Sequence, residues 1–419
     1  MATAYDTANI IIPKSAGYKA GSLYGWNPQG GSLVDFAVTR AGATATRVNE
    51  AGLIESVAAN VPRMDWAEGG SCPSLLVEPQ RTNLFTYSED FSTDWNDTRS
   101  AITTNQSTSP DGTINADLFK GDGSSTSNPI IGKTITFSTA GTYVVSIYAK
   151  YTNNQWINIR PIAYTGSTGE AYFDIQNGVL GTVSGVGASI ENAGNGWYRC
   201  SVVITIDAGD LAGVINYYLA SADNSTSYSS VGDQLAANAY IWGAQLESGA
   251  YATSYIPTTG TTETRNADVI QKTGIASLLG QSAGTFNLEF LSFNTTATGL
   301  ISLSDGTFNN IVNLGFTGGN SFSRIRAGGS LQVNNNGSAV ANNTYVKAAL
   351  RYATNDFALY ANGIADGTDS SVTTFSDGTL NQISFDDGAG NLPFFGRLRV
   401  GLFYDYALDN TELANLTTP

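Results

Sequence analysis

Only a few residues in this 419-residue chain carry side chains suited to chemistry, and the absence of one type removes more functions than any motif supplies. There is no histidine, so neither a Ser-His-Asp or Cys-His nucleophile system nor a His-ligated metal can be built. The scattered glycines form no GxxxxGK[ST] loop, which sets nucleotide binding aside. A glycosidase needs only two carboxylates at the right separation. The nearest acidic clusters are Ser-Glu-Asp at 88–90 and the pair Asp386–Asp387, and neither singles out a catalytic pair.

What remains is recognition by flat aromatic faces. Sugar rings stack their apolar side on Trp and Tyr while amides and carboxylates meet the hydroxyls. By strand alternation Trp156, Trp197 and Tyr148 fall on or beside polar faces, whereas Trp242 falls inward with Ala244 and Leu246. Tyr404 and Tyr406 near the C-terminus are further candidates. The competing reading for each is a ring that seals the end of a sandwich or is buried in a subunit contact. For Asp386 and Asp387, in SFDDGAGN, the choice lies between an acidic ligand loop and a capped turn.

The elements that must position these residues are strands. Tyr143, Val145, Ile147 and Ala149 alternate with Val144, Ser146, Tyr148 and Lys150. Tyr198, Cys200, Val202, Ile204 and Ile206 do the same, as do Ala171, Phe173 and Ile175. Period two with one face apolar predicts antiparallel sandwiches with the other face wet. A second set follows: Phe286, Leu288, Phe290; Val346, Ala348, Leu350, Tyr352; Phe357, Leu359, Ala361; and Leu398, Val400, Leu402. The predicted fold is all-β, two antiparallel jelly-roll sandwiches with an extended N-terminal segment. One helix is expected, at the C-terminus, where Asp409 and Glu412 form a capping-box pattern before Leu413 and Leu416.

The predicted organisation is an attachment arm or small strand cluster over 1–73, a first module over 74–258, a linker over 259–268 and a second module over 269–419. Residues 1–31 read as loops with one apolar run, Ile10 to Pro13. TSYIPTTGTTETRNAD, from Thr253 to Asp268, holds little that could be buried, hence the boundary there. The arm is too poor in apolar residues to be stable alone, so it is expected to borrow a core from neighbouring subunits, most simply in a homotrimer.

Charged residues are only 13 % of the chain, and 35 acidic against 20 basic side chains leave a formal charge of −15. That balance repels phosphate backbones and anionic lipid, so neither nucleic acid nor membrane insertion is expected. No Sec-type signal is seen at Met1 and no apolar run approaches a membrane span. Cys200 falls on an apolar strand face, and Cys72 and Cys200 together show no disulfide pattern, so a buried reduced thiol is expected.

One stretch does resemble something known. ATRVNEAGLIESVAANVPRMDW, continuing as CPSLLVEPQRTNLFTYSEDFSTDW, resembles a segment of phage and prophage proteins that precedes carbohydrate-binding modules. GNGWYRCSVVI and YIWGAQLESGAYATSYIPT look like late strands of the same module, so the resemblance runs from about Arg40 to Arg265. NTYVKAALRYATNDFALYANG and FFGRLRVGLFYDYALDNTELANL resemble the LamG-like branch of the concanavalin A-like lectin and glucanase superfamily. The resemblance implies a structural, non-enzymatic surface protein of a bacteriophage particle, a head or tail fibre or decoration made in the host cytoplasm and present in the virion. Its partners would be other virion proteins, through the N-terminal segment, and cell-surface glycans. No cofactor is required by this reading. Related modules place a structural calcium ligand where Glu89 and Asp90 stand, with Asp386 and Asp387 offering a second oxygen-rich turn. The alternatives are a virion-associated polysaccharide-degrading enzyme of the same fold and a host adhesin. Against the enzyme, the Glu-x-Asp-x-x-Glu strand of the superfamily's glucanases is missing.

Overall fold

The computed structural model describes residues 4–13, 18–19, 21–42, 44–69, 71–164, 166 and 168–419. Every strand ladder among them is antiparallel, and the α-helices are three short ones, Ala4–Thr7, Val231–Ala236 and Asn410–Thr417. The all-β expectation therefore holds. The C-terminal helix carries its capping box: Asp409 accepts from the Thr411 and Glu412 amides, while the Asp409 N–H donates to Glu412. Leu413 seats that helix against Ala349, Ala358 and Tyr404.

The chain forms two compact units, but they are not divided as expected. One comprises residues 1–41, 59–79 and 267–419; the other comprises 42–58 and 80–266. The 1–73 arm is thus not an independent segment. In the first unit the strand Gly396–Tyr404 pairs on one side with Ala283–Ser292. Its other side is shared, with Ile10–Ile12 against Gly401 to Phe403 and Ser74–Val77 against Gly396 to Leu398. Ser32–Thr39 pairs with Ser22–Asn27 and also with Val269–Thr273, which links two sheets. Ile10, Ile12, Leu23, Val34, Phe36, Met64, Leu75 and Val77 then enter the same core as Phe286, Leu288, Ile301, Val312, Leu350 and Leu398. The segment is poor in apolar residues because it contributes single strands to a sheet completed from more than 200 residues away. It borrows its core from the same chain, which removes the reason for expecting a trimer.

Four buried charges tie these distant segments together. Arg63 donates to Glu78 at 2.5 Å and to Asp268, and Arg40 donates to Asp268 at 2.8 Å. The Glu78 amide also donates to Asp268, at 2.9 Å. All four side chains are at most 4 % exposed. Burial works to lower the affinity of Arg63 for its proton, but the facing carboxylates of Asp268 and Glu78 more than offset it and raise its pKa. The expected linker 259–268 is accordingly no linker. Asp268 is buried here, and Glu263–Arg265 forms a strand with Arg81–Asn83 in the second unit.

That second unit is a sandwich of two six-stranded sheets. One runs Asn96–Thr98, Ile130–Thr136, Ala212–Ala220, Trp156–Ile162, Glu170–Asp174, Val179–Ser184. The other runs Ser100–Thr108, Ile114–Gly121, Asn238–Ser248, Gly141–Tyr151, Trp197–Ile206, Gly187–Asn192. Ile131, Ile157, Ile159, Phe173 and Ile215 from the first meet Phe119, Val145, Ile147, Cys200 and Val202 from the second. Cys72 and Cys200 are both free thiols, and burial pushes the Cys200 thiol well up.

The outer face of the second sheet departs from the alternation rule, being covered rather than wet. Arg199 donates to Ser146 and to the Thr253 carbonyl, Thr253 is held by Glu247, and Thr46 donates to the Tyr255 carbonyl. Polar residues on this face therefore satisfy one another beneath the segment around Tyr255. Trp242 also changes face. Between the pairs Ser146–Gln245 and Tyr148–Trp242, one residue of Gly141–Tyr151, Ile147, opposes two of its partner, Gly243 and Ala244. This β-bulge is centred on Gly243, whose φ is +63° and whose Cβ, if present, would lie 2.9 Å from the Tyr148 ring. Ile241 and Ala244 consequently both enter the core, while Trp242 joins Tyr148, Trp197 and Tyr255 in a second cluster on the opposite face.

Candidate functional site

The outward face of the sheet containing Trp156–Ile162 is where polar and aromatic groups converge. Its strands read W-I-N-I-R-P-I, E-A-Y-F-D and A-G-V-I-N-Y-Y-L-A. With Ile157, Ile159, Ala171, Phe173, Ile215, Tyr217 and Leu219 committed to the core, period two turns the intervening residues outward. Register then sets them side by side. Asn158 lies between Tyr218 and Tyr172, Arg160 lies beside Asn216, and Trp156 lies between Ala220 and Asp174.

The floor is firmly held. Asn158 donates to the Ala171 carbonyl at 3.1 Å, Asn216 to the Tyr218 hydroxyl at 3.2 Å, and the Tyr172 hydroxyl to Glu170 at 3.3 Å. Asn158 and Tyr172 are buried, Tyr218 and Trp156 half-buried, and Arg160 exposed. Burial, then the charge of Glu170, pushes the Tyr172 phenol up to about 12, so it remains a donor at neutral pH. Two glycines open the space that the larger groups use. A Cβ at Gly132 would lie 2.2 Å from the Asn216 amide oxygen, and one at Gly181 would lie 2.5 Å from the Trp156 ring. At that edge Asp223 is fixed by the Thr182 amide and hydroxyl at 2.8 and 2.9 Å. Asp174, at the foot of Trp156, is pulled in both directions. Burial would raise its pKa, but donation from Asn177 and Gln155 holds it below the usual carboxylate range.

Accessible on this face are the Trp156 indole, the Tyr218 phenol, the Glu170 carboxylate and the Arg160 guanidinium, over a buried floor of Asn158, Tyr172, Asp174 and Asn216. Such a set orients a polyhydroxylated ring: aromatic faces contact its C–H side, and amide and charged groups pair with adjacent hydroxyls.

Of the aromatics expected to face ligand, only Trp156 lies here. Trp197 is 1 % exposed, with its indole N–H donating to the Thr108 carbonyl at 3.1 Å. Tyr148 is packed edge-on to Trp242 and Tyr255, and Arg199 lies over its ring. Both are buried because the segment around Tyr255 covers their sheet, which strand alternation does not reveal. In the other unit Tyr404 is buried under the C-terminal helix, while Tyr406 is 38 % exposed and touches Tyr404 edge-on. Asn158, Arg160, Glu170, Tyr172, Asn216 and Tyr218 were missed. The same period-two reading, applied to 156–162 and 212–220, would have found most of them.

The carboxylates expected as calcium ligands are hydrogen-bonded within the chain. Glu89 accepts from the Tyr255 hydroxyl at 2.9 Å and from Asn115 at 3.0 Å; burial first, then nearby Asp111 and Asp117, raises its pKa. Asp90 caps a turn through the Ser92 amide and hydroxyl. Asp386 accepts from the Ser384 hydroxyl and the Gly388 amide, and Asp387 from the Ala389 and Asn391 amides. Among the described residues no three His, Cys, Asp or Glu side chains come together in a way that could hold a metal ion.

No family model matches the chain, and neither does any curated protein sequence. Among solved structures it is similar to the CBM40 of the Ruminococcus gnavus IT-sialidase bound to α2,3-sialyllactose: 21 % identity over 34 % of this chain and 86 % of that one, TM-score 0.31. It is also similar to domain 4 of AbnA, a GH43 arabinanase from Geobacillus stearothermophilus in complex with arabinotriose, at 13 % identity over 41 % and 84 %, TM-score 0.31. The mouse laminin α1 LG4-5 pair is matched at 12 % identity over 70 % and 91 %, TM-score 0.24. At these scores and identities the likenesses assign no ligand.

Proposed function

We propose that this chain is a non-catalytic glycan-binding protein that displays the Trp156 face of its second unit to saccharides. The observation that carries the reading is the register that leaves Trp156, Tyr218 and Arg160 accessible at neighbouring positions above a hydrogen-bonded floor of Asn158, Tyr172 and Asn216. Polar residues pre-aligned by hydrogen bonds on the outside of a rigid sheet lose little entropy on binding. The bacteriophage particle as the place of display rests on the sequence resemblance over about 40–265.

The test combines a glycan array with particle analysis. Purified protein should retain saccharides without releasing reducing ends, and Trp156→Ala with Tyr218→Ala should remove binding while leaving the melting temperature nearly unchanged. Release of reducing ends would make it a depolymerase. Retained binding in the double variant would refute the site, and absence of the chain from purified particles would refute the setting.

A further inference from the structure

Beside Trp156 stands an acceptor that strand register does not supply. Where Glu170–Asp174 pairs with Val179–Ser184, the pairs Ala171–Val183 and Phe173–Leu180 leave Tyr172 opposite two residues, Gly181 and Thr182. Such a bulge takes backbone groups out of the ladder and re-aims side chains. The Thr182 amide and hydroxyl donate instead to Asp223, one to each carboxylate oxygen. Gly181 leaves the space between them empty: its Cβ, if present, would lie 2.5 Å from Cζ3 of Trp156 and 2.6 Å from Oδ1 of Asp223. The edge of the indole and the carboxylate therefore border one notch, open because residue 181 is glycine.

Asp223 is held before any ligand arrives. It stands on a turn in which the Ser225 amide donates to the Ala222 carbonyl at 3.3 Å, and the Ser221 and Ser225 hydroxyls both donate to the Ser227 carbonyl, at 2.7 and 2.9 Å. Asn128 ties that turn to the adjoining strand by donating to the Ser225 carbonyl at 2.7 Å. The Asp223 side chain nevertheless belongs to an exposed residue. A carboxylate has about four lone-pair sites; Thr182 takes one on each oxygen, so one on each remains. Asp174, at the foot of the same ring, differs. It is buried and already accepts from the Gln176 and Asn177 amides and from the Gln155 and Asn177 side chains.

Building on the glycan-binding reading above, we infer that Asp223 accepts two adjacent hydroxyls of a neutral pyranose whose ring lies against Trp156, so that the substrate class is a hexose unit with a free vicinal diol. The two oxygens of one carboxylate match hydroxyls on neighbouring ring carbons, and an O–H donating to a charged acceptor makes one of the stronger hydrogen bonds. A uronic acid fits less well, since Asp174, Glu170 and Asp223 place three carboxylates on this face against the single guanidinium of Arg160.

The probes are cellotriose, maltotriose and mannotriose, titrated calorimetrically into the full chain, beside their fully O-methylated forms and trigalacturonic acid. At least one neutral trisaccharide should bind, tenfold or more tightly than its methylated form and than the acid. D223A should lose tenfold or more, and D223N, which keeps one carbonyl oxygen and the Thr182 contacts, should lose severalfold. Melting temperatures of both should stay within a few degrees of the parent, and D223N carries the test if D223A fails to fold. Parental binding in D223A and D223N with loss in W156A would overturn this inference and leave the glycan-binding face standing. Equal binding of a methylated form or of the acid would overturn the diol. No binding of any saccharide, or full binding in W156A, would bring down the face and the inference together.

Discussion

Replacing Arg63 by Met tests whether buried charge holds the interrupted unit together. Arg63 links Glu78, from the segment 59–79, to Asp268, at the start of 267–419, and Arg40 reaches Asp268 from the first segment. The substitution conserves the apolar stem but takes the Arg63 guanidinium away from Glu78 and leaves Asp268 with one guanidinium instead of two. Breaking a buried pair by removing one partner costs about 3–5 kcal/mol, most of it for stranding the other charge. For a unit of this size about 1 kcal/mol shifts the midpoint by about 2–4 °C, so calorimetry should record a fall of about 6–20 °C. The companion Arg63→Met with Glu78→Leu removes the stranded charge with its partner and should recover a substantial part of that loss. A fall of under about 2 °C for the single variant, or a double variant worse than the sum of the singles, would refute the reasoning.

Trp197→Ala should destabilise by about 3–5 kcal/mol, as for a large core aromatic, and Trp156→Ala by far less; equal melting temperatures would contradict the burial of Trp197. Deleting residues 1–41 should yield insoluble or molten protein, because Ile10–Ile12, Ser22–Asn27 and Ser32–Thr39 are sheet members; a soluble product with sharp side-chain NMR signals would restore the detachable arm. Burial, only partly offset by the Phe91 and Asn105 amides, raises the Asp117 carboxyl to about 6, above its unfolded value of about 4. The native state therefore holds that proton longer. The contribution of this group to stability is complete below about pH 4, declines as pH rises to about 6 and is flat above. Asp117→Asn should flatten that segment of the melting-temperature profile, and an unchanged profile would exclude Asp117 as its source.

The sequence by itself determined what local chemistry controls. Period two in 143–150, 198–206 and 286–290 specified strands and their core faces, because adjacent side chains on a pleated strand must point to opposite sides. Asp409 and Glu412 specified the last helix through donors and acceptors three residues apart. The absence of histidine excluded whole mechanisms without reference to any fold.

Tertiary structure decided everything that depends on what covers a face or completes a sheet. Whether Trp197 or Trp156 meets solvent was settled by the segment around Tyr255, which is distant in sequence and carries no periodic signal. The bulge at Gly243 moved Trp242 to the other face by inserting one residue that alternation cannot anticipate. Residues 253–268 looked unburiable because they are polar, yet Arg265 and Asp268 are buried: Arg265 donates to Thr253 and Ser254 within the folded-back segment, and Asp268 accepts from Arg40 and Arg63, distant in sequence. The same holds for the N-terminal strands. Their core lies at residues 286–403, and only the register of Ile11 against Leu402 and of Leu75 against Leu398 shows that they belong to it.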